Sequence, residues 1–153
     1  KQKLRALAFK SLDESTMISF LAKESKIIRK NIYVFTDIDC GYCRKFHNEV
    51  DQLNKNGINV HYLAFPRAGQ EGNTYKKMVS VWCSSNKNYA LSIAKRGENI
   101  PAKKCNNPIS KHFKLGLEIE LKGTPAVFSD EGVELGGFIK AKDIERILLQ
   151  DKS

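Results

Sequence analysis

The spacing of apolar and polar residues predicts alternating strands and helices along most of the chain. Two apolar, β-branched runs, Asn31–Asp37 and Ile58–Pro66, predict strands. The amphipathic segment between them predicts a helix that Gly57 ends. If the two strands are parallel, they form a βαβ unit, and its helix begins at the carboxyl end of the first strand.

Further helices and a hairpin follow this unit. Three amphipathic segments predict helices: Thr74–Ser85, Asn88–Gly97 and Pro108–Ile119. The stretch Thr124–Phe138 alternates around a Ser-Asp-Glu-Gly turn and predicts two strands. The final segment, Lys140–Gln150, predicts a helix with Ile144, Ile147 and Leu148 directed inward. We therefore expect an α/β fold, with a mixed sheet flanked by helices and a helical insertion before the hairpin.

The segment before the first strand predicts a helix outside this alternation. Apolar residues recur from Leu4 to Leu21, and Ser11 precedes Glu14 by three positions, a spacing typical of a helix start. We expect residues 1–30 to form a linker helix and residues 31–153 to form the main domain. The chain begins at Lys1 with neither a methionine nor an apolar leader, so we expect a processed or partial chain.

Composition and charge narrow the function classes. The 153 residues are 41% hydrophobic and 28% charged, as in ordinary globular proteins. No apolar run approaches the roughly 18 residues of a membrane span. The net charge is +9, but the basic residues are spread out. The tightest clusters, Ser25–Asn31 and Pro101–Cys105, lack interleaved stacking aromatics. This pattern favours a solvated basic surface over nucleic-acid binding.

The strongest chemical signal is Cys40-Gly41-Tyr42-Cys43, at the predicted junction of strand and helix. If the helix begins near Cys40, Cys43 and Phe46 lie on its core-facing stripe, so Cys43 points inward and Cys40 lies exposed in the first turn. Backbone N–H groups at a helix start favour a thiolate at Cys40. A buried Cys43 could then release a mixed disulfide formed at Cys40.

Two other uses of these cysteines are weaker. A structural zinc site needs four ligands, but Cys83 and Cys105 lie 22 positions apart, and His47 adds only a third ligand to the Cys40–Cys43 pair. A disulfide within the short motif constrains too little chain to stabilise the fold much. The pattern therefore favours redox chemistry, with Cys83 and Cys105 as the other natural pair among four cysteines.

A second signal is the stretch Lys122–Phe128, in which a Thr-Pro pair enters a predicted strand. A cis bond between Thr124 and Pro125 would expose the backbone groups of Thr124 to an extended peptide beside the cysteines. The alternative is an ordinary trans proline at a sheet edge.

Together these motifs resemble the catalytic domain of the DsbC/DsbG disulfide isomerases, which have the thioredoxin fold. The matching stretches are VFTDIDCGYC, YLAFPRAG, VWCS and GTPAVF, and with the Cys83/Cys105 pair they span the chain from about Asn31 to its end. The resemblance implies that Cys40 is the attacking thiolate and Cys43 the resolving thiol. It also implies that the substrate-binding surface is formed by Gly41, Tyr42, Thr124 and Pro125. It further implies a structural disulfide between Cys83 and Cys105.

The resemblance further implies a periplasmic disulfide isomerase or reductase that acts on misoxidised secreted proteins. It implies no cofactor, no metal and no nucleic acid, and a DsbD-like membrane reductase as electron donor. Family members carry an N-terminal dimerisation domain, whereas only about thirty residues precede the catalytic strand here. The chain is thus either a catalytic part of a possible homodimer or a short, monomeric relative. The alternatives are a monomeric thiol oxidase, a zinc- or nucleic-acid-binding module and a redox-inactive chaperone.

Overall fold

The computed structural model describes residues 1–23 and 30–149, and its centre is a five-stranded mixed sheet. The strands in chain order are β1 Ile18–Phe20, β2 Lys30–Thr36, β3 Ile58–Ala64, β4 Ala126–Ser129 and β5 Glu134–Gly136. The helices are α1 Gln2–Ser11, α2 Gly41–His47, α3 Val50–Lys55, α4 Asn73–Trp82, α5 Lys87–Lys95, α6 Ile109–Glu118 and α7 Ala141–Leu149. The predicted α/β fold with a helical insertion is confirmed.

The strand order in the sheet is β1-β3-β2-β4-β5. Strands β2 and β3 are parallel and α2 and α3 connect them, as the βαβ prediction requires. The other pairs are antiparallel, including β2 with β4 and the β4–β5 hairpin. Because β4 lies directly beside β2, the loop that leads into β4 lies beside the end of β2.

Alternating side chains of the strands build a separate apolar core on each face of the sheet. On β2, Val34 packs into the larger core, which also receives side chains from α2 to α7, whereas Phe35 points to the opposite face. On that second face Phe35 packs with Phe9 of α1 and Phe128 of β4. Helix α1 is therefore attached to the domain through a buried aromatic side chain.

The predicted N-terminal helix is wrong between Leu12 and Lys23, and residues 24–29 lie outside the described residues. Leu12 has an extended backbone, and a short 3₁₀ turn precedes strand β1. Strand β1 pairs antiparallel with β3, so that Ile18 lies opposite Tyr62. Backbone pairing with a strand some forty positions away thus overrides the local helical pattern. The role of residues 1–30 as a linker to an N-terminal domain remains a prediction. The basic cluster Ser25–Asn31 lies largely outside the described residues, as does Gln150 at the end of the last predicted helix.

Two details of the predicted helices differ from the structure. The helix after the cysteines is divided into α2 and α3, with Asn48 and Glu49 between them. The Glu49 carboxylate accepts a hydrogen bond from the backbone N–H of Ala141, at the first turn of α7, so this residue serves another helix. On α7 itself, Ile144 is buried as predicted, but Ile147 is 47% exposed. The narrow buried stripe of this edge helix does not extend to Ile147.

Candidate active site

The two cysteines of the short motif lie where β2 turns into α2. Cys40 has an extended backbone and is the N-cap of α2, which begins at Gly41. The Cys40 Sγ accepts a hydrogen bond of 3.2 Å from the backbone N–H of Cys43. Both cysteines are free thiols in this structure. The sulfur of Cys40 therefore occupies the position in which a Ser or Asp side chain caps many helices.

The predicted exposure of Cys40 is wrong. Its exposed fraction is 3%, close to the 1% of Cys43. The covering group comes from far along the chain, since the Cys40 thiol donates a hydrogen bond of 3.4 Å to the backbone carbonyl of Thr124. Tyr42 is 61% exposed and, with the exposed Gly41, forms the outer surface of the motif. A disulfide would have to approach Cys40 between this surface and the Thr124 loop.

The Thr124–Pro125 peptide bond is cis, and the loop that contains it brings Thr124 to the cysteines. Pro125 is buried at the start of β4. The Thr124 hydroxyl is also buried and has no hydrogen-bond partner among the described residues. The sequence thus correctly indicated that these two motifs meet, although they lie 84 positions apart.

The two thiols differ in their acidity. Burial by itself raises the pKa of Cys40, but hydrogen bonding from Cys43, the nearby side chain of Thr124 and the positive charge of Arg67 together lower it below the usual value. Burial raises the pKa of Cys43 to about 11, and its hydrogen bond to Cys40 acts in the same direction. A thiolate is therefore favoured at Cys40, while Cys43 keeps its proton.

Arg67 is a contributor to this site that the sequence analysis did not single out, although it lies in the quoted stretch YLAFPRAG. Its Nε donates to the Asp37 carboxylate at 3.0 Å, and its backbone N–H donates to the same oxygen. Asp37 is 2% exposed and also accepts from the N–H of Asp39, just before Cys40. The arginine is thereby fixed near the loop that precedes the reactive cysteine.

We expect Arg67→Met to raise the pKa of Cys40, because the positive charge of Arg67 lowers it in the wild-type protein. At any pH below that pKa, a smaller fraction of Cys40 is then thiolate, and alkylation by iodoacetamide slows. The measurement is the alkylation rate of Cys40 as a function of pH. The matched control, Arg96→Met, removes an exposed arginine that pairs with Glu98, and should leave the curve unchanged. An identical curve for Arg67→Met would contradict this role.

The negative charge of Asp39 lies beside Cys40, where it would disfavour a thiolate, but it is balanced by neighbouring groups. Its carboxylate accepts hydrogen bonds from Thr74 and Lys77, and Arg44 lies 3.4 Å away. Burial by itself raises the pKa of Asp39, but these three partners lower it overall. The negative charge next to Cys40 is therefore largely balanced by two cations.

The other two cysteines form the disulfide that the resemblance implied. Cys83, the C-cap of α4, is bonded to Cys105 in the loop before α6. This bond links the end of α4 to the loop before α6 within the helical insertion. Because the two sulfurs are bonded to each other, neither can serve as a thiolate ligand of a metal ion. Among the described residues, no group of three or more His, Cys, Asp or Glu side chains could hold a metal ion. The ring nitrogens of His47 are instead hydrogen-bonded to Tyr62 and Ser92.

Two further residues near the cysteines were missed. Phe138, after β5, lies 6.0 Å from Tyr42 between ring centroids, and Lys45 lies over both rings. Lys95, the last residue of α5, is buried behind the motif. Helical spacing could have found Lys95, because it lies four positions after the buried Leu91 on the same helix face. No comparable signal marks Phe138.

The sequence was compared with protein-family models and with curated proteins. A family model described as a thioredoxin-like domain matches residues 17–152. The thiol:disulfide interchange protein DsbC of Salmonella typhimurium is 38% identical over 135 residues, which cover 88% of this chain and 56% of that protein. DsbC of Haemophilus influenzae is 38% identical over 133 residues, or 86% of this chain and 56% of that protein. The chain thus spans little more than half the length of these curated relatives.

Solved structures show the same fold at lower sequence identity. A disulfide interchange protein from Neisseria gonorrhoeae has a TM-score of 0.74 and 21% identity, covering 89% of this chain and 95% of its own. The catalytic domain of Proteus mirabilis ScsC has a TM-score of 0.65 and 21% identity, covering 94% and 95%. The chain therefore belongs to the thioredoxin-like domain family, and the resemblance to DsbC-type catalytic domains that its motifs indicated is confirmed.

Proposed function

We propose that this chain is a thiol–disulfide oxidoreductase in which Cys40 attacks and Cys43 resolves. The observation that carries the proposal is the placement of two free thiols at the start of α2, where Cys40 Sγ accepts the backbone N–H of Cys43. In this setting the pKa of Cys40 is lowered and that of Cys43 is raised to about 11. Reduction of a substrate disulfide requires a thiolate that attacks and a second thiol that later resolves the mixed disulfide. The similarity to DsbC proteins supports the same chemistry.

In the first step, the Cys40 thiolate attacks one sulfur of a substrate disulfide. A new S–S bond joins Cys40 to the substrate, the old substrate bond breaks, and the other substrate sulfur leaves with the electron pair and takes a proton from water. The hydrogen bond from the Cys43 N–H and the charge of Arg67 stabilise the anion before the attack.

The mixed disulfide then has two fates. If another substrate thiolate attacks the substrate sulfur, the substrate is isomerised and Cys40 is released as a thiolate. If Cys43 attacks Cys40 Sγ, the substrate leaves reduced and Cys40–Cys43 becomes a disulfide. The second fate needs an external dithiol to regenerate the enzyme, and a DsbD-like membrane reductase is the partner that the family resemblance supports. A raised pKa at Cys43 delays resolution and leaves time for isomerisation.

The surface around Cys40 fits an extended peptide. The carbonyl of Thr124 lies 3.4 Å from Cys40 Sγ, and the exposed Tyr42 lies on the motif itself. We propose that a substrate backbone pairs with Thr124 while its side chains lie against Gly41, Tyr42 and Pro125. Misoxidised secreted proteins in the periplasm are the substrates consistent with this site and with the similarity to DsbC.

Redox assays of the purified protein test the proposal. We expect the reduced protein to accelerate precipitation of insulin, by reducing its interchain disulfides, and to reactivate ribonuclease with scrambled disulfides. Insulin reduction without ribonuclease reactivation would restrict the function to a reductase. Formation of disulfides in reduced ribonuclease, without either activity, would favour a thiol oxidase. A protein inactive in all three assays would contradict thiol–disulfide exchange.

A further inference from the structure

Lys95 is a buried lysine that the proposed exchange reaction does not yet use. Only 4% of the surface of Lys95 is exposed to solvent, although the residue lies at the end of α5. Its Nζ donates hydrogen bonds to the Thr36 hydroxyl at 2.6 Å and to the Cys43 carbonyl at 3.5 Å. It also lies 5.0 Å above the ring of Tyr62. The ammonium group is thus held against the helix turn that carries Cys43.

The hydrogen-bond partners of this ammonium are all neutral. Within the described residues, no carboxylate lies within ion-pair distance of Lys95, although a buried charge normally requires a partner of opposite sign. The groups that act on Lys95 as negative charges include the two cysteines and Asp37, which is paired with Arg67. A thiolate formed at Cys43 would therefore give this cation a counter-charge of its own.

We propose that Lys95 is a positioning residue for Cys43, whose ammonium stabilises the Cys43 thiolate at the moment when that thiolate resolves the mixed disulfide. The inference rests on the roles proposed above for Cys40 and Cys43. In this step Cys43 loses its proton to water, its sulfur bonds to Cys40 Sγ, and the bond from Cys40 to the substrate breaks. The substrate sulfur leaves with the electron pair and takes a proton from water.

The charges around Lys95 agree with this role. Burial lowers the pKa of Lys95 to about 8, Cys43, Cys40 and Asp37 act against that change, and Arg44 adds to it. The positive charge of Lys95 in turn acts to lower the pKa of Cys43. Lys95 and Cys43 therefore titrate as a pair, and the pair loses its first proton at a pH near the pKa of Lys95.

Neighbouring groups do not titrate in the same range. His47 on α2 is buried, and its burial, with the charge of Lys95, lowers its pKa to about 4. On β3, burial raises the pKa of Tyr62 well above the usual value. A change in the resolving step near pH 8 can thus be assigned to the pair formed by Lys95 and Cys43.

The test is the rate at which the mixed disulfide at Cys40 is resolved, followed by rapid mixing with a peptide disulfide, acid quenching and mass spectrometry. In the wild-type protein we expect the rate to rise with pH and to level off near 8. In Lys95→Met the rate should be lower at neutral pH and should keep rising through about pH 10. Without the ammonium, we expect the fraction of Cys43 present as thiolate to be about tenfold smaller. Because a more basic thiolate is also more nucleophilic, this loss is partly offset, and resolution slows about threefold.

A merely structural lysine would behave differently. Replacing a buried charge by an apolar side chain of similar length is often neutral or stabilising, so Lys95→Met can keep its stability while losing rate. The matched control is Lys87→Met, the same substitution at the first residue of α5, which should keep both the rate and the levelling.

Two results would overturn the inference. One is a Lys95→Met profile that still levels off as in the wild-type protein, whatever its absolute rate. The other needs no variant, and is a wild-type rate that continues to rise through about pH 10. If the wild-type protein forms no mixed disulfide at Cys40, the proposed function itself fails, and this result is distinct from both.

Discussion

The Cys40→Ser variant is expected to lose thiol–disulfide exchange completely while it keeps its fold. A serine hydroxyl does not ionise near neutral pH, so no anion remains to attack a disulfide. Serine is also a preferred N-cap residue, and Cys40 occupies the N-cap of α2. Insulin reduction should therefore fall to the uncatalysed rate, whereas the circular dichroism spectrum and the unfolding midpoint should match those of the wild-type protein.

The matched control for this variant is Cys43→Ser. It keeps the attacking thiolate and removes only the resolving thiol, so it should accumulate mixed disulfides with its substrates. Retention of exchange by Cys40→Ser would show that another group attacks. Loss of the fold by Cys40→Ser would show that the thiol is needed for structure.

Removal of the second disulfide should lower stability but spare the chemistry. The bond between Cys83 and Cys105 closes a loop of 22 positions. The loop-entropy relation then gives a loss of about 3 kcal/mol in the free energy of unfolding for Cys83→Ala/Cys105→Ala. For a chain of this size, such a loss lowers the unfolding midpoint by about 10 °C. The free energy is measured by denaturant titration, and the exchange rate at Cys40 should stay within a factor of about two.

The control for the disulfide variant is Asn106→Ala, which changes an exposed residue beside Cys105 and leaves the bond intact. This control should unfold as the wild-type protein does. An unchanged free energy of unfolding in the double variant would contradict a stabilising disulfide. A lost exchange rate in a folded double variant would show that the insertion contributes directly to the active site.

The sequence indicated the features that depend on neighbouring residues. The apolar, β-branched run Asn31–Asp37 predicted a strand, and the structure confirms it as β2. The spacing from Cys43 to Phe46 similarly showed which side of α2 is buried. These patterns are local, because burial of one face repeats with the period of the strand or helix.

Features that depend on distant partners were not accessible in this way. Strand β1 is defined by its pairing with β3, and its three residues alone do not distinguish a strand from a helix. Cys40 is buried because a carbonyl 84 positions away covers it. The burial of Lys95 follows from Thr36 and Cys43, which lie 59 and 52 positions before it. In each case the tertiary contact, and not the local pattern, decides the environment of the side chain.

The most direct test of the account is to identify the sulfur that captures a substrate. The Cys43→Ser variant would be reduced, mixed with a protein that contains disulfides, quenched with acid and digested for mass spectrometry. We expect one mixed disulfide, on Cys40, with Cys83 and Cys105 still bonded to each other. Capture of the substrate at Cys83 or Cys105, or an unmodified Cys40 after mixing with an excess of substrate, would contradict the assignment of Cys40 as the attacking thiolate.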